Sequence, residues 1–148
     1  MLNLELEYET DLVEDHCGSC TLCIDACPTN AISEPYVVDS NKCISYATIE
    51  LRAPEMPPAI TENLEGWFYG CDICQDVCPF NQAAPASTDP AIQPRLPTGR
   101  IDLQQLLEWR REDYSRAFSG SAVKRVKLPV LKRNAKIILD HREGTQST

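Results

Sequence analysis

The stretch Cys17-Gly18-Ser19-Cys20-Thr21-Leu22-Cys23-Ile24-Asp25-Ala26-Cys27-Pro28 decides how the rest of this chain is read. Two-residue gaps between Cys17, Cys20 and Cys23 turn the backbone enough to present three sulfurs to one centre. Cys27, three residues further on and followed by proline, is directed elsewhere. This is the spacing of a bacterial two-cluster ferredoxin, in which the fourth cysteine of a run ligates the other cluster. A second run, Cys71-x2-Cys74-x3-Cys78-Pro79, also ends in Cys-Pro, and Cys43 lies alone between the two. Eight cysteines suffice for two 4Fe–4S cubanes with none left over.

Each cubane needs four thiolates, and the local loop supplies at most three. The spacing therefore predicts a crossed arrangement: one cluster on Cys17, Cys20, Cys23 and Cys78, the other on Cys43, Cys71, Cys74 and Cys27. Cys43 replaces the third local cysteine that the second run lacks. Single-electron transfer is the chemistry such centres carry. Zinc is the competing reading, since paired Cys-x2-Cys units hold structural zinc. It leaves the interior cysteine of the first run and both Cys-Pro endings without a purpose. Four disulfides are a further alternative for an even cysteine count. They require an oxidising compartment, whereas Met1 to Asp15 is acidic, with neither the basic nor the apolar part of a secretory leader. No apolar run approaches the ~20 residues that span a bilayer. These features predict a cytoplasmic protein with no membrane association.

The net charge of −8 conceals a polarity. Before Arg95 the only basic residues are Lys42 and Arg52, and all other lysines and arginines follow. An acidic half joined to a basic half predicts different partners at the two ends. The organisation read from composition is an extended lead-in over 1–15 (alternating Leu2, Leu4, Leu6), a di-cluster domain over 16–90 and a basic helical segment over 91–148. The fold class is α+β, a two-cluster bacterial-ferredoxin-like module followed by a small all-helical segment.

Within it, 35–38 reads as a strand, and Asp39 or Ser40 as the cap of a helix running to Leu51. The proline-bearing stretches 52–60 and 81–100 read as loops. Cys71, Cys74 and Cys78 are placed on one helical face. Asp102 is the expected cap of a helix over Leu103–Arg110, Glu112–Phe118 forms a second helix, and Pro129 suits the first turn of a last one. On that last helix Val130, Leu131, Asn134, Ile137, Ile138 and His141 share a side, with Lys132, Arg133 and Lys136 opposite.

Three segments carry a family resemblance: Cys17–Ile32, Cys43-Ile44-Ser45-Tyr46-Ala47-Thr48-Ile49-Glu50 and Gly70-Cys71-Asp72-Ile73-Cys74-Gln75-Asp76-Val77-Cys78-Pro79-Phe80-Asn81. The first is shared with many ferredoxins. The other two, with Arg133-Asn134 in the tail, resemble the C-terminal iron–sulfur and helical part of the epoxyqueuosine reductases. That family reduces epoxyqueuosine to queuosine in the anticodon loop of tRNA, using cobalamin and two 4Fe–4S clusters.

The resemblance implies that this chain lacks the N-terminal domain that holds most of the cobalamin. It would then bind no cobalamin by itself, turn nothing over alone, and work with a separate cobalamin-binding chain or as a truncated product. It also implies reduced flavodoxin or ferredoxin as donor, and the tRNA anticodon stem-loop as partner. Lys124, Arg125, Lys127, Lys132, Arg133 and Lys136 become the expected phosphate contacts, against the simpler reading of a solvated helix face. Trp67, Phe68 and Tyr69 are read as core or cover, Tyr46 as a neighbour of the second cluster, and His16 as no ligand. No residue is assigned a catalytic role. A stand-alone two-cluster ferredoxin is the alternative function, and a corrinoid dehalogenase fragment fits the second and third segments less well.

Overall fold

The computed structural model describes residues 3–5, 7, 11, 13–92 and 100–145. Leu2 and Leu6 of the lead-in and residues 93–99 of the second proline-rich stretch lie outside these. Helices dominate, in keeping with a low glycine content and short apolar repeats. They are α1 (Leu22–Ala26), α2 (Ile44–Ile49), α3 (Pro58–Thr61), α4 (Ile73–Asp76), α5 (Pro79–Gln82), α6 (Leu103–Glu108), α7 (Arg111–Ala117) and α8 (Leu128–Thr145). The sheet is one antiparallel hairpin, β1 (Ile32–Glu34) with β2 (Val37–Val38), registered Ile32 to Val38 and Glu34 to Val37. Among the described residues no helix is long and apolar enough to cross a membrane.

Local chemistry explains where several elements depart from the sequence reading. Pro35 and Tyr36 form the hairpin turn, with Tyr36 at φ 66°, so the second strand starts only at Val37. Asp39 caps not the main helix but a 3-10 turn over Ser40–Lys42, its Oδ1 accepting from the Asn41 N–H at 3.0 Å. Cys43 is extended at φ −75° and ψ 123°, which ends that turn and makes it the residue from which α2 starts. Within 52–60, expected to be loop, Pro58 opens the short helix α3, because its fixed φ suits a first helical position.

The second cysteine run is not one continuous helical face. Only Ile73–Asp76 is α-helical, and Cys78 is extended at ψ 122° because Pro79 follows it. Further on, Asp102 caps α6 as expected, its Oδ1 accepting from the N–H groups of Gln104 and Gln105 at 2.9 and 3.1 Å.

Two apolar clusters make up the interior. One gathers Ile44 and Ala47 of α2 with Met56, Ile60, Leu64 and Ile138. The other gathers Leu106, Phe118, Val126, Val130, Leu131 and Ala135. Phe68 and Leu103 pack against both. The last helix, α8, therefore contributes to each: Ile138 seals the cysteine-bearing half, and Leu131 and Ala135 seal the helical half. It packs along α6 and against α2. A helix whose residues are split between two clusters ties the cysteine loops to the basic tail as one packed body.

Candidate metal centre

Both Cys-Pro steps do the same local work. Pyrrolidine sterics drive the preceding residue out of the helical region. Cys27 accordingly leaves α1 at φ −70° and ψ 112°, and Cys78 leaves α4 with φ −70° and ψ 122°. Each cysteine therefore has extended backbone where its run leaves the helix. Cys43 has the same extended geometry without a proline, set by the 3-10 turn before it. In the first run the Cys20 N–H returns to the Cys17 carbonyl at 2.9 Å, with Gly18 between them at φ 50°. Asp15 Oδ1 accepts from the Cys17 N–H at 2.8 Å and fixes the approach to the turn. Asp15 also accepts a hydrogen bond from the Tyr36 hydroxyl, which anchors the lead-in to the hairpin.

The runs meet through α1 and α4, which pack on each other. At one end of this contact the rings of His16 and Phe80 lie with centroids 6.0 Å apart, so the start of the first run adjoins the end of the second. Cys71 sits within the electrostatic reach of Cys74, Cys43 and Cys27. Burial pushes the Cys71 thiol above its ordinary value; the Ile73 N–H opposes this, and the three neighbouring sulfurs add to it. Cys27 moves the other way. Its burial raises the thiol, but the N–H groups of Ala31, Thr29 and Ile32 and the Thr29 hydroxyl outweigh that and bring it below the ordinary range. The Ala31 N–H donates to Cys27 Sγ at 3.2 Å. Such N–H···S bonds favour a thiolate and tune any cluster it holds.

All eight thiols are free; Cys17 and Cys20 are exposed and the other six half-buried. Among the described residues no three His, Cys, Asp or Glu side chains close on one point as they would around a single ion. A cubane spaces its thiolates around an inorganic core rather than around one ion. The eight candidate donors are all cysteine sulfur, the soft chemistry that iron–sulfur clusters require. The His16 ring lies against that of Phe80. A groove lined by Gly66, Phe68, Tyr69, Arg100, Leu103 and Arg142, among others, contains none of the cysteines.

The basic residues divide. Lys124, Arg125, Lys127 and Lys136 are exposed, and Lys132 is half-buried. Lys124 lies 5.9 Å from the centre of the Tyr114 ring, Arg125 Nε is 2.6 Å from Glu50 Oε1, and Lys136 pairs with Asp140 at 3.1 Å. Arg133 differs. Although placed on the charged side of α8 by helical periodicity, its guanidinium turns inward. It donates to the carbonyls of Ala47, Leu51 and Ala53 at 2.7, 3.0 and 2.5 Å, and to Asn134 Oδ1 through Nε and Nη2 at 3.0 and 2.8 Å. Periodicity could not have signalled this, because a long side chain reaches around its helix.

Known proteins match this chain. The 4Fe-4S double cluster binding domain matches residues 16–81. Epoxyqueuosine reductase of Synechocystis sp. is 52% identical over 121 residues, covering 81% of this chain and 42% of the relative. A solved structure of a selenomethionine-labelled epoxyqueuosine reductase superposes with a TM-score of 0.80 at 32% identity, over 87% of this chain and 34% of that one. Another, an epoxyqueuosine reductase with an epoxyqueuosine-modified tRNA-Tyr stem loop, gives a TM-score of 0.74 at 33% identity over 90% of this chain and 36% of that one. The chain thus spans less than half the length of the relatives it matches. Sequence and fold agree that the chain belongs to the epoxyqueuosine reductase family, as a homologue of that family's iron–sulfur part.

Proposed function

We propose that residues 16–90 hold two 4Fe–4S clusters in crossed sets, one on Cys17, Cys20, Cys23 and Cys78 and the other on Cys27, Cys43, Cys71 and Cys74, in a two-cluster ferredoxin-like arrangement. The observation that carries this reading is the company Cys71 keeps. The sulfurs it feels are those of Cys74, Cys43 and Cys27, drawn from all three cysteine-bearing segments. The His16–Phe80 contact supports the complementary set, since Cys17 follows His16 and Cys78 lies two residues before Phe80. Loaded clusters would supply one-electron chemistry. The chain's own residues orient the thiols, donate N–H groups to sulfur and, through α2 and α8, cover one side of the second set.

In this reading the chain is the electron-transfer part of an epoxyqueuosine reductase. It accepts electrons from a reduced flavodoxin or ferredoxin and passes them toward cobalamin held by the rest of the protein or by a separate chain. Residues 91–148 then form the RNA-facing side, with Lys124, Arg125, Lys127, Lys132 and Lys136 as phosphate contacts and Arg133 behind them. The homologous structure with a tRNA stem loop supports an RNA partner.

The deciding experiment is an anaerobic iron and sulfide determination. The proposal expects about eight irons per chain; a value near four removes the paired-cluster reading, and a colourless zinc protein removes the redox function altogether.

A further inference from the structure

The cysteines proposed for the second cluster come from separate segments, and something must hold those segments in register. Cys43 opens α2, and Cys71 follows the segment Phe68–Gly70. These two pieces are joined by a buried polar network centred on α8. Asn134 is fully buried, and its Nδ2 donates to the carbonyl of Thr48 and the carbonyl of Phe68, both at 2.9 Å. Thr48, also fully buried, donates its hydroxyl to the Ile44 carbonyl at 2.8 Å and accepts from the Gly70 N–H at 3.0 Å. Arg133 clamps the amide by donating twice to Asn134 Oδ1 while capping the end of α2. The network therefore touches the residue after Cys43, the residue before Cys71, and the helix that carries the basic surface.

We propose that Asn134 and Thr48, oriented by Arg133, are positioning residues for the second cluster: they set the separation of Cys43 from Cys71 and so tie cluster retention to the docking of the last helix. The inference rests on the reading of Cys27, Cys43, Cys71 and Cys74 as one ligand set. An amide suits the task because its two donors reach two carbonyls at once while its oxygen is held by a guanidinium. No apolar residue of similar size can do so. The hydroxyl of Thr48 is equally specific, since it joins α2 directly to the Gly70 N–H immediately ahead of Cys71.

The test uses the anaerobically purified, cluster-loaded chain with Thr48→Val, Thr48→Ser and Asn134→Ala, and Leu131→Ala as a control. Leu131 is buried on the same helix but belongs to the other apolar cluster. Iron is withdrawn with a chelator while iodoacetamide maps the cysteines that open.

Thr48→Val and Asn134→Ala are expected to lose about half the iron some 10- to 100-fold faster than the parent, the scale on which outer partners affect metal sites. Label should appear on Cys27, Cys43, Cys71 and Cys74 ahead of Cys17 and Cys20. Thr48→Ser, which keeps the hydroxyl, is expected to behave as the parent. Leu131→Ala is expected to melt earlier without this selectivity. Thr48→Val is nearly isosteric, and the pair Thr48→Val and Thr48→Ser decides the matter even where Asn134→Ala is not recovered. Release from both sets together, or no acceleration in Thr48→Val, overturns the positioning role while leaving the two clusters standing. A parent chain that carries no iron overturns the ligand set itself.

Discussion

His16 and Phe80 place their rings 6.0 Å apart, inclined at 57°, although they flank opposite ends of the cysteine-bearing region. The contact matters for what stands beside each ring. Cys17 follows His16, and Cys78 precedes the Pro79-Phe80 step. α1 packs on α4, and Cys71 lies within electrostatic reach of Cys27.

The crossed ligation proposed above has a direct consequence for Cys27→Ser. The damaged cluster should be the one bound by Cys71 and Cys74, not the one bound by the neighbours Cys20 and Cys23. Iron should fall from about eight to about four per chain, with alkylation favouring Cys43, Cys71 and Cys74. Preferential labelling of Cys20 and Cys23 would show that each run serves its own cluster.

Arg133→Met should destabilise the fold more than it alters any surface property. Removing the guanidinium leaves the carbonyls of Ala47, Leu51 and Ala53 and the Asn134 oxygen without these donors. Charged hydrogen bonds of this kind predict a loss of about 3 kcal/mol, or roughly 6–12 °C in melting temperature for a chain of this size. Arg133→Lys should recover less than half of it, because an ammonium cannot match the fork that spans several carbonyls. Thermal melts under anaerobic conditions read both.

The exposed cations predict a salt signature. Binding of a tRNA anticodon stem-loop should weaken as salt rises, and Lys127→Gln with Lys136→Gln should flatten the slope by about 0.7–0.9 per lost phosphate contact. Arg133→Met should leave that slope nearly unchanged in protein that remains folded, because its donors already face carbonyls. A slope unaltered by the lysine substitutions assigns this face to solvent.

Gly70→Ala isolates backbone strain. Gly70 stands at φ 73°, and an added Cβ would meet only Ile49 Cδ1 at 3.9 Å, an ordinary contact. The cost should therefore be conformational, about 1–2 kcal/mol, without a steric clash. Because the Gly70 N–H binds Thr48 Oγ1 just ahead of Cys71, any relaxation of the strain should show as faster iron loss from the second set. Denaturant unfolding and chelator kinetics on the same preparation separate the two effects.

The periodicity and spacing of the chain went far. Asp102 was legible as a cap because a carboxylate before an apolar helical repeat satisfies free N–H groups, and its Oδ1 does so twice. Val130, Leu131, Asn134 and Ile138 were legible as one side of α8, and all four are buried. Helix limits were less so: Trp109 leaves the helical region at ψ 139° and stops α6 at Glu108, short of the expected Arg110. The inward turn of Arg133 was not legible at all, since its partners are carbonyls 80 to 86 positions away and every residue type offers a carbonyl.

What the sequence by itself determined is the chemistry: thiols in these numbers and spacings specify soft-metal ligands, and proline behind Cys27 and Cys78 forces the backbone of both out of the helical region, because proline acts on its immediate neighbour. What only the tertiary structure decided is company and distance. The packing of α1 on α4, and the docking of Arg133 and Asn134 onto α2, are properties of surfaces assembled from the whole chain.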